Sequence, residues 1–328
     1  MESEIETQGI QSNSLNASRN SFEKIPIRVF EKPADASRAV AEHIAGMIRT
    51  RNAQDRLCVL GLATGSTPIG VYAELVRMHR EEGLSFQNVA TFNLDEYYPI
   101  HPDELQSYVR FMHEHLFDHI DIPAENIHIP NGLLPKEDLA DYCAQYEAKI
   151  RTMGGIDIQI LGIGRTGHIG FNEPGSSKES LTRLITLDKI TRADASSDFL
   201  GEENVPRRAI TMGVGSILNA EEILIIAYGE HKAGITASAI EGEVTSSVSA
   251  SFLQEHPSAK FILDLSAAQG LTSYRCPWLT DSIQWTKKLQ RKAVLWLAQQ
   301  VNKPILKLTD EDYNEGVLQD LLAAHGQI

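Results

Sequence analysis

Residues 161–174 read LGIGRTGHIGFNEP, a glycine-rich turn carrying a histidine and a glutamate directly after the apolar run IDIQIL. Glycine at a strand end lets the backbone approach a ligand closely. His168 is the side chain best suited to moving a proton near neutral pH, and Glu173 is placed to orient that imidazole or shift its pKa. A second loop, Gly61-Leu62-Ala63-Thr64-Gly65-Ser66-Thr67-Pro68, joins another apolar run to a helical pattern. Thr67 reads as an N-cap and Pro68 as a first-turn residue. Backbone N–H groups, the hydroxyls of Thr64, Ser66 and Thr67, and the helix dipole then converge around Gly65. Such a spot takes an anion, most often phosphate, although a capped turn without a ligand carries the same signature. No Gly-Lys-Ser/Thr follows, so it is not a Walker A loop. A third piece, Phe92-Asn93-Leu94-Asp95-Glu96-Tyr97-Tyr98, sets two carboxylates just past a buried strand, where open α/β sheets line their ligand crevice. There Asp95 is either a solvated turn cap or a carboxylate that shuttles a proton between neighbouring carbons of a sugar.

Two further patterns are set aside. Gly162-x-Gly164-x-x-Gly167, with Asp188 following, matches the dinucleotide fingerprint. Its helix, however, is replaced by His-Ile-Gly-Phe-Asn-Glu-Pro-Gly, in which Pro174 and Gly175 stop helix growth. No nicotinamide cofactor is expected. His115 and His119 sit at i, i+4 on a predicted helix but lack a third ligand, so no metal is expected.

The elements that position these loops alternate along the chain. Strands are predicted over 25–30, 57–62, 89–94, 156–161, 209–212, 223–228 and 260–265, and helices over 35–51, 68–80, 106–119, 136–151 and 232–241. Alternation of this kind predicts an α/β fold, a Rossmann-like and mainly parallel sheet covered by helices. The chain changes character near Cys276-Pro277-Trp278. Leu289, Lys292, Ala293, Trp296 and Leu297 recur at helical spacing over 285–301, and 309–313 reads as the capped start of a short final helix. Trp278, Trp285 and Trp296 read as packing anchors. The expected organisation is a disordered polar tail (1–24), a sheet domain (25–275) and a small C-terminal helical extension (276–328).

Composition narrows the function classes. Hydrophobic residues at 42% and charged residues at 23% are ordinary for a globular protein. A net charge of −14 argues against a nucleic-acid partner, which needs basic stripes. No apolar run reaches membrane-spanning length and the first residues lack a signal-peptide core, so no membrane partner is expected. The Asn-Ala-Ser triplet at Asn16 is then a chance match to a glycosylation acceptor. Cys58, Cys143 and Cys276 lie far apart, without metal spacing, and read as packing thiols in a reducing cytoplasm.

Taken in order, LGLATGSTPIGVYAEL, TFNLDEYY, SYVRFMHEHLFDHIDIPAENIHIPNG, GIGRTGHIGFNEPGSS and AITMGVGSIL resemble the glucosamine-6-phosphate deaminase/isomerase family across roughly 25–265. The segment from PWLTDSIQW to KPILKLTDEDYN resembles the longer deaminase-like proteins of Bacteroidetes type. In those a deacetylase-like domain often follows, and this sequence stops before it, so that activity is expected to be absent. The resemblance implies hydrolytic deamination of glucosamine 6-phosphate to fructose 6-phosphate and ammonium, with no organic cofactor, in a homo-oligomer. It assigns Asp95 as the acid/base moving a proton between C1 and C2, His168 as the group assisting ring opening, and Glu173 as its partner. Thr64, Gly65, Ser66 and Thr67 match the family's phosphate cradle and Lys232 its phosphate-binding lysine.

This chain departs from the family in places. Thr166 stands where the family commonly has Asp or Asn, which shifts imidazolium stabilisation onto Glu173. Ser197 stands where the family usually has a phosphate-holding arginine. Loss of such a contact costs ~1.5–3 kcal/mol, or roughly ten- to a hundredfold in affinity, with Arg192 or Arg208 as candidate replacements. Ser176 and Arg183 match parts of the allosteric site of some hexameric members, but Ile185 replaces a lysine there, so weak or absent activation is expected. The alternatives are a sugar-phosphate-binding regulator or scaffold with weak or no turnover, and a 6-phosphogluconolactonase-like hydrolase, which the Asp-Glu-Tyr and Phe-Asn-Glu-Pro pieces disfavour.

Overall fold

A computed structural model describes residues 22–325, and the polar stretch 1–21, with its Asn16 triplet, lies outside the described residues. In chain order the strands are β1 (Ile27–Phe30), β2 (Cys58–Leu62), β3 (Val89–Asn93), β4 (Asp95–Tyr98), β5 (Ile127–His128), β6 (Ile158–Gly162), β7 (Arg183–Thr186), β8 (Arg208–Thr211), β9 (Glu222–Ala227) and β10 (Ala259–Asp264). Seven of them form a parallel sheet in the order β1-β10-β9-β6-β2-β3-β5. Its central strands β2, β6 and β9, reading CVLGL, IQILG and EILIIA, are mainly apolar because both faces are covered. Leu60, Leu62, Ile158 and Ile160 pack on one side with helices Pro33–Ala53 and Ile69–Glu82. Val59, Leu161, Ile223 and Ile225 pack on the other with helices Leu139–Thr152 and Ala233–Glu241.

The strand order fixes where a ligand can enter. β2 and β6 are neighbours, yet the chain leaves β2 toward β3 and β6 toward β9 and β10. The loops after these two strands therefore diverge, and a crevice opens at this switch point beyond the strands' carboxyl ends.

The expected strand over 209–212 is corrected in its placement. β8 does not join the parallel sheet but forms a separate antiparallel sheet with β4 and β7, in the order β4-β8-β7. Leu94 is the junction between the sheets: its N–H donates to Leu62 O (3.0 Å) and its carbonyl accepts from Met212 N (2.7 Å). β4 and β7, reading DEYY and RLIT, are short and carry no apolar alternation, so neither stood out in the sequence. The expected helix over 106–119 is also shorter, ending at His115 because Leu116 leaves helical geometry (φ −142°) before a 3₁₀ turn.

The three cysteines are free and buried. Residues after Cys276 build a hydrophobic cluster of their own around Trp278, Ala293, Leu297 and Tyr313. Trp278 stacks on Trp285 and meets Trp296 edge-on. Helix Lys287–Gln300 supplies the amphipathic face, and Thr309 and Asp312 close a capping box. The helix that this box opens is not the last, since Gln319–His325 follows.

Candidate active site

At the switch point lies a cavity of about 220 Å³, lined among others by Ala63–Thr67, Leu94, Asp95, Tyr108, Gly162–Gly164, His168, Gly170 and Phe171. The loops after β2 and β6 and the first residue of β4 thus meet at one place.

Thr64 to Thr67 form the cavity wall after β2. Thr67 does not cap the following helix, contrary to its sequence signature. Helix Ile69–Glu82 begins one residue later, with Pro68 at the cap position, already in the αR region (φ −80°, ψ −8°), and no side-chain cap. First-turn N–H groups without a side-chain cap are the ordinary partners of an anion, so the correction leaves the anion reading of the loop intact.

Asp95 and Glu96 are both buried. Alternation along β4 sends their carboxyl groups apart. Asp95 lines the cavity. Burial, and then the nearby Glu96 charge, push its pKa up to about 8. Gly170 adopts φ +54°, and a Cβ there would come 3.3 Å from Asp95 Oδ2 and 2.9 Å from Thr211 Oγ1. Glycine is therefore what lets the loop after β6 close over Asp95.

His168 is held by its own loop. Its Nδ1 shares a hydrogen bond with Thr166 Oγ1 (2.9 Å) and lies 3.3 Å from Glu173 Oε2. A carboxylate and a hydroxyl at Nδ1 favour the proton there, leaving Nε2 for a substrate. Burial pushes the Glu173 pKa up, but His168, Thr191 and the Asp188 N–H outweigh it and hold the carboxyl below its ordinary value. Glu173 is thus a carboxylate beside His168, and Thr166 adds a hydrogen bond the sequence reading gave little weight. A Cβ on Gly164 would come 2.0 Å from His168 Nε2, so the imidazole occupies space that only glycine leaves free.

Lys232 sits in a 3₁₀ turn ahead of helix Ala233–Glu241, not inside the helix as expected. Its Nζ donates to Ile163 O (2.8 Å), on the cavity loop, but Lys232 itself is not part of the lining. Ser197 is exposed and Arg192 pairs with Glu202 at 3.4 Å. Arg208 is exposed at the start of β8. Tyr108 was missed as a lining residue; it follows the N-cap Ser107, and its ring packs on that of Tyr97 with centroids 5.1 Å apart. An aromatic after a cap carries no sequence signal of its own.

The patterns set aside also find their places. Residues 163–182 run without helix or strand up to β7, so the glycine triplet opens no helix for a pyrophosphate. His119 meets Arg80 and the Glu114 carbonyl, and His115 packs on Phe111. Among the described residues no cluster of three or more His, Cys, Asp or Glu is disposed to hold a metal.

The family described as glucosamine-6-phosphate isomerases/6-phosphogluconolactonase matches residues 31–261, well over half the chain. The chain belongs to this family. A glucosamine-6-phosphate deaminase of Oceanobacillus iheyensis is 45% identical over 236 residues, 72% of this chain and 92% of that one. A deaminase-like protein of Bacteroides thetaiotaomicron is 47% identical over 305 residues, 93% of this chain but 46% of that relative, so the chain spans about half its length. Among solved structures, a monomeric glucosamine-6-phosphate deaminase superposes with a TM-score of 0.71 at 39% identity, covering 74% of this chain and 99% of that one. For this family member, no helix among the described residues is long and apolar enough to cross a membrane.

Proposed function

We propose that this chain converts glucosamine 6-phosphate and water to fructose 6-phosphate and ammonium. The observation that carries the reading is the single cavity that joins the Thr64–Thr67 loop, Asp95 and His168 at the β2/β6 switch point. The substrate phosphate lies on the N–H groups and hydroxyls of that loop, with Lys232 as the neighbouring cation. His168 Nε2 moves the proton from the C1 hydroxyl to the ring oxygen as the C1–O5 bond breaks, and Glu173 stabilises the imidazolium. Asp95, as carboxylate, takes the C2 proton of the open-chain aldehyde and returns it to C1, while O1 gains the proton that the substrate's C2 ammonium group gives up. The resulting C2 imine adds water, and the C2–N bond breaks to release ammonium.

Residues 25–275 are the unit that carries this reaction in our reading, and 276–328 an appended unit. We place the enzyme in cytoplasmic amino-sugar breakdown, including that of N-acetylglucosamine after deacetylation, and expect a homo-oligomer, which light scattering tests.

The assay that tests the reading follows ammonium and fructose 6-phosphate together from glucosamine 6-phosphate, beside 6-phosphogluconolactone as a competing substrate. Stoichiometric ammonium and ketose support the deaminase. Turnover of the lactone alone contradicts it, and phosphosugar binding without turnover points instead to a regulator or scaffold.

A further inference from the structure

The anion site is short of positive charge for a phosphate dianion. Burial lowers the pKa of Lys232, and its ammonium already donates to Ile163 O. Ser197 brings no charge, and Arg192 is engaged by Glu202.

Arg165 is differently placed. It lies between Gly164, which lines the cavity, and Thr166, which bonds His168. Its guanidinium meets Asp194 Oδ1 at 2.8 Å, in a pair whose side chains are 60% and 44% exposed. Asp194 and Arg165 act on Lys232 in opposite directions, the first raising and the second lowering its pKa, so the three charges lie near one another. An ion pair this exposed contributes little and exchanges readily, whereas an arginine–phosphate contact is bidentate and charge-assisted.

We propose that Arg165 is the second cationic arm of the anion site, held by Asp194 when the site is empty and transferred to the substrate's phosphate when it binds. The inference rests on the reading of Thr64–Thr67 as a phosphate cradle.

The test is a set of kinetic measurements on the full chain. Arg165→Ala should raise KM for glucosamine 6-phosphate roughly tenfold, with a much smaller fall in kcat, and weaken competitive inhibition by inorganic phosphate in proportion. Arg165→Lys should recover part of the loss. Asp194→Asn, which frees the guanidinium, should lower KM. Unchanged KM and phosphate inhibition in Arg165→Ala overturns the proposal while leaving the deaminase reading intact; a raised KM in Asp194→Asn overturns the exchange between the two anions. If the wild-type chain releases no ammonium, calorimetric binding of fructose 6-phosphate replaces the kinetics. Arg165-dependent binding then upholds the proposal though the deaminase reading has failed, and Arg165-independent binding overturns both.

Discussion

Asp95 and Glu96 are adjacent, buried carboxyls in opposite surroundings. Asp95 lines the cavity, whereas Glu96 accepts from the Ser107 hydroxyl (2.8 Å) and from the Tyr97, Tyr108 and Val109 N–H groups (2.8, 3.1 and 3.1 Å) at the start of helix Tyr108–His115. One dipeptide thus supplies a group free to react and a group tied into the fold. Glu96→Gln sets an NH₂ group against donors and should destabilise the protein by about 1–3 kcal/mol. A thermal melt indistinguishable from wild type would contradict this.

The Asp95 pKa of about 8, raised by burial and then by Glu96, has two pH consequences. As a base it must be ionised, so kcat/KM should fall as the pH drops below about 8. For stability the sign is reversed. An unfolded aspartate titrates near 3.9, so ionisation favours the unfolded chain, and stability present below about pH 4 is lost as the pH rises toward about 8. Asp95→Asn removes this penalty. Its melting temperature should match wild type near pH 4 and exceed it at pH 8; a difference constant with pH would contradict the buried, protonated carboxyl.

Gly164→Ala tests how His168 is seated. The new Cβ would fall 2.0 Å from Nε2, and the imidazole must move. Activity should fall by more than about tenfold, since misplacement of about 1 Å costs on that scale or more, while circular dichroism stays that of the wild type. Near-normal kcat would show that the imidazole position is not critical.

Thr166 and Glu173 share Nδ1 of His168, but only Glu173 brings charge. Thr166→Val should lower kcat by about two- to tenfold, the worth of one neutral hydrogen bond. Glu173→Gln should cost more, because the imidazolium formed during ring opening loses its counter-charge. The reverse order of kcat values would make Thr166 the principal partner.

Much of this was legible in the sequence, for physical reasons that can be named. β2 reads as an unbroken apolar run and β6 as an apolar run broken only by the buried Gln159, which placed the two loops after them at a sheet's carboxyl edge. His168, Glu173 and the Thr64–Thr67 loop are local in sequence, so their proximity needed no tertiary knowledge. What remained hidden depends on contacts between distant segments. β8 reads like a core strand, and only its pairing with β4 and β7 moves it to the second sheet. Thr67 carries a cap's chemistry, but the αR backbone of Pro68 moves the helix start past it. Arg165 had no signal at all, because its meaning comes from Asp194, on a helix beyond β7.

The central claim is that Asp95 carries the proton between C2 and C1. Ammonium release from glucosamine 6-phosphate by wild type and by Asp95→Asn, at equal concentration and saturating substrate, tests it most directly. Robust release by wild type is expected, with a fall of roughly 10²- to 10⁴-fold in the variant and phosphosugar binding retained. Release by Asp95→Asn at the wild-type rate would contradict it and move the proton transfer to another group in the cavity.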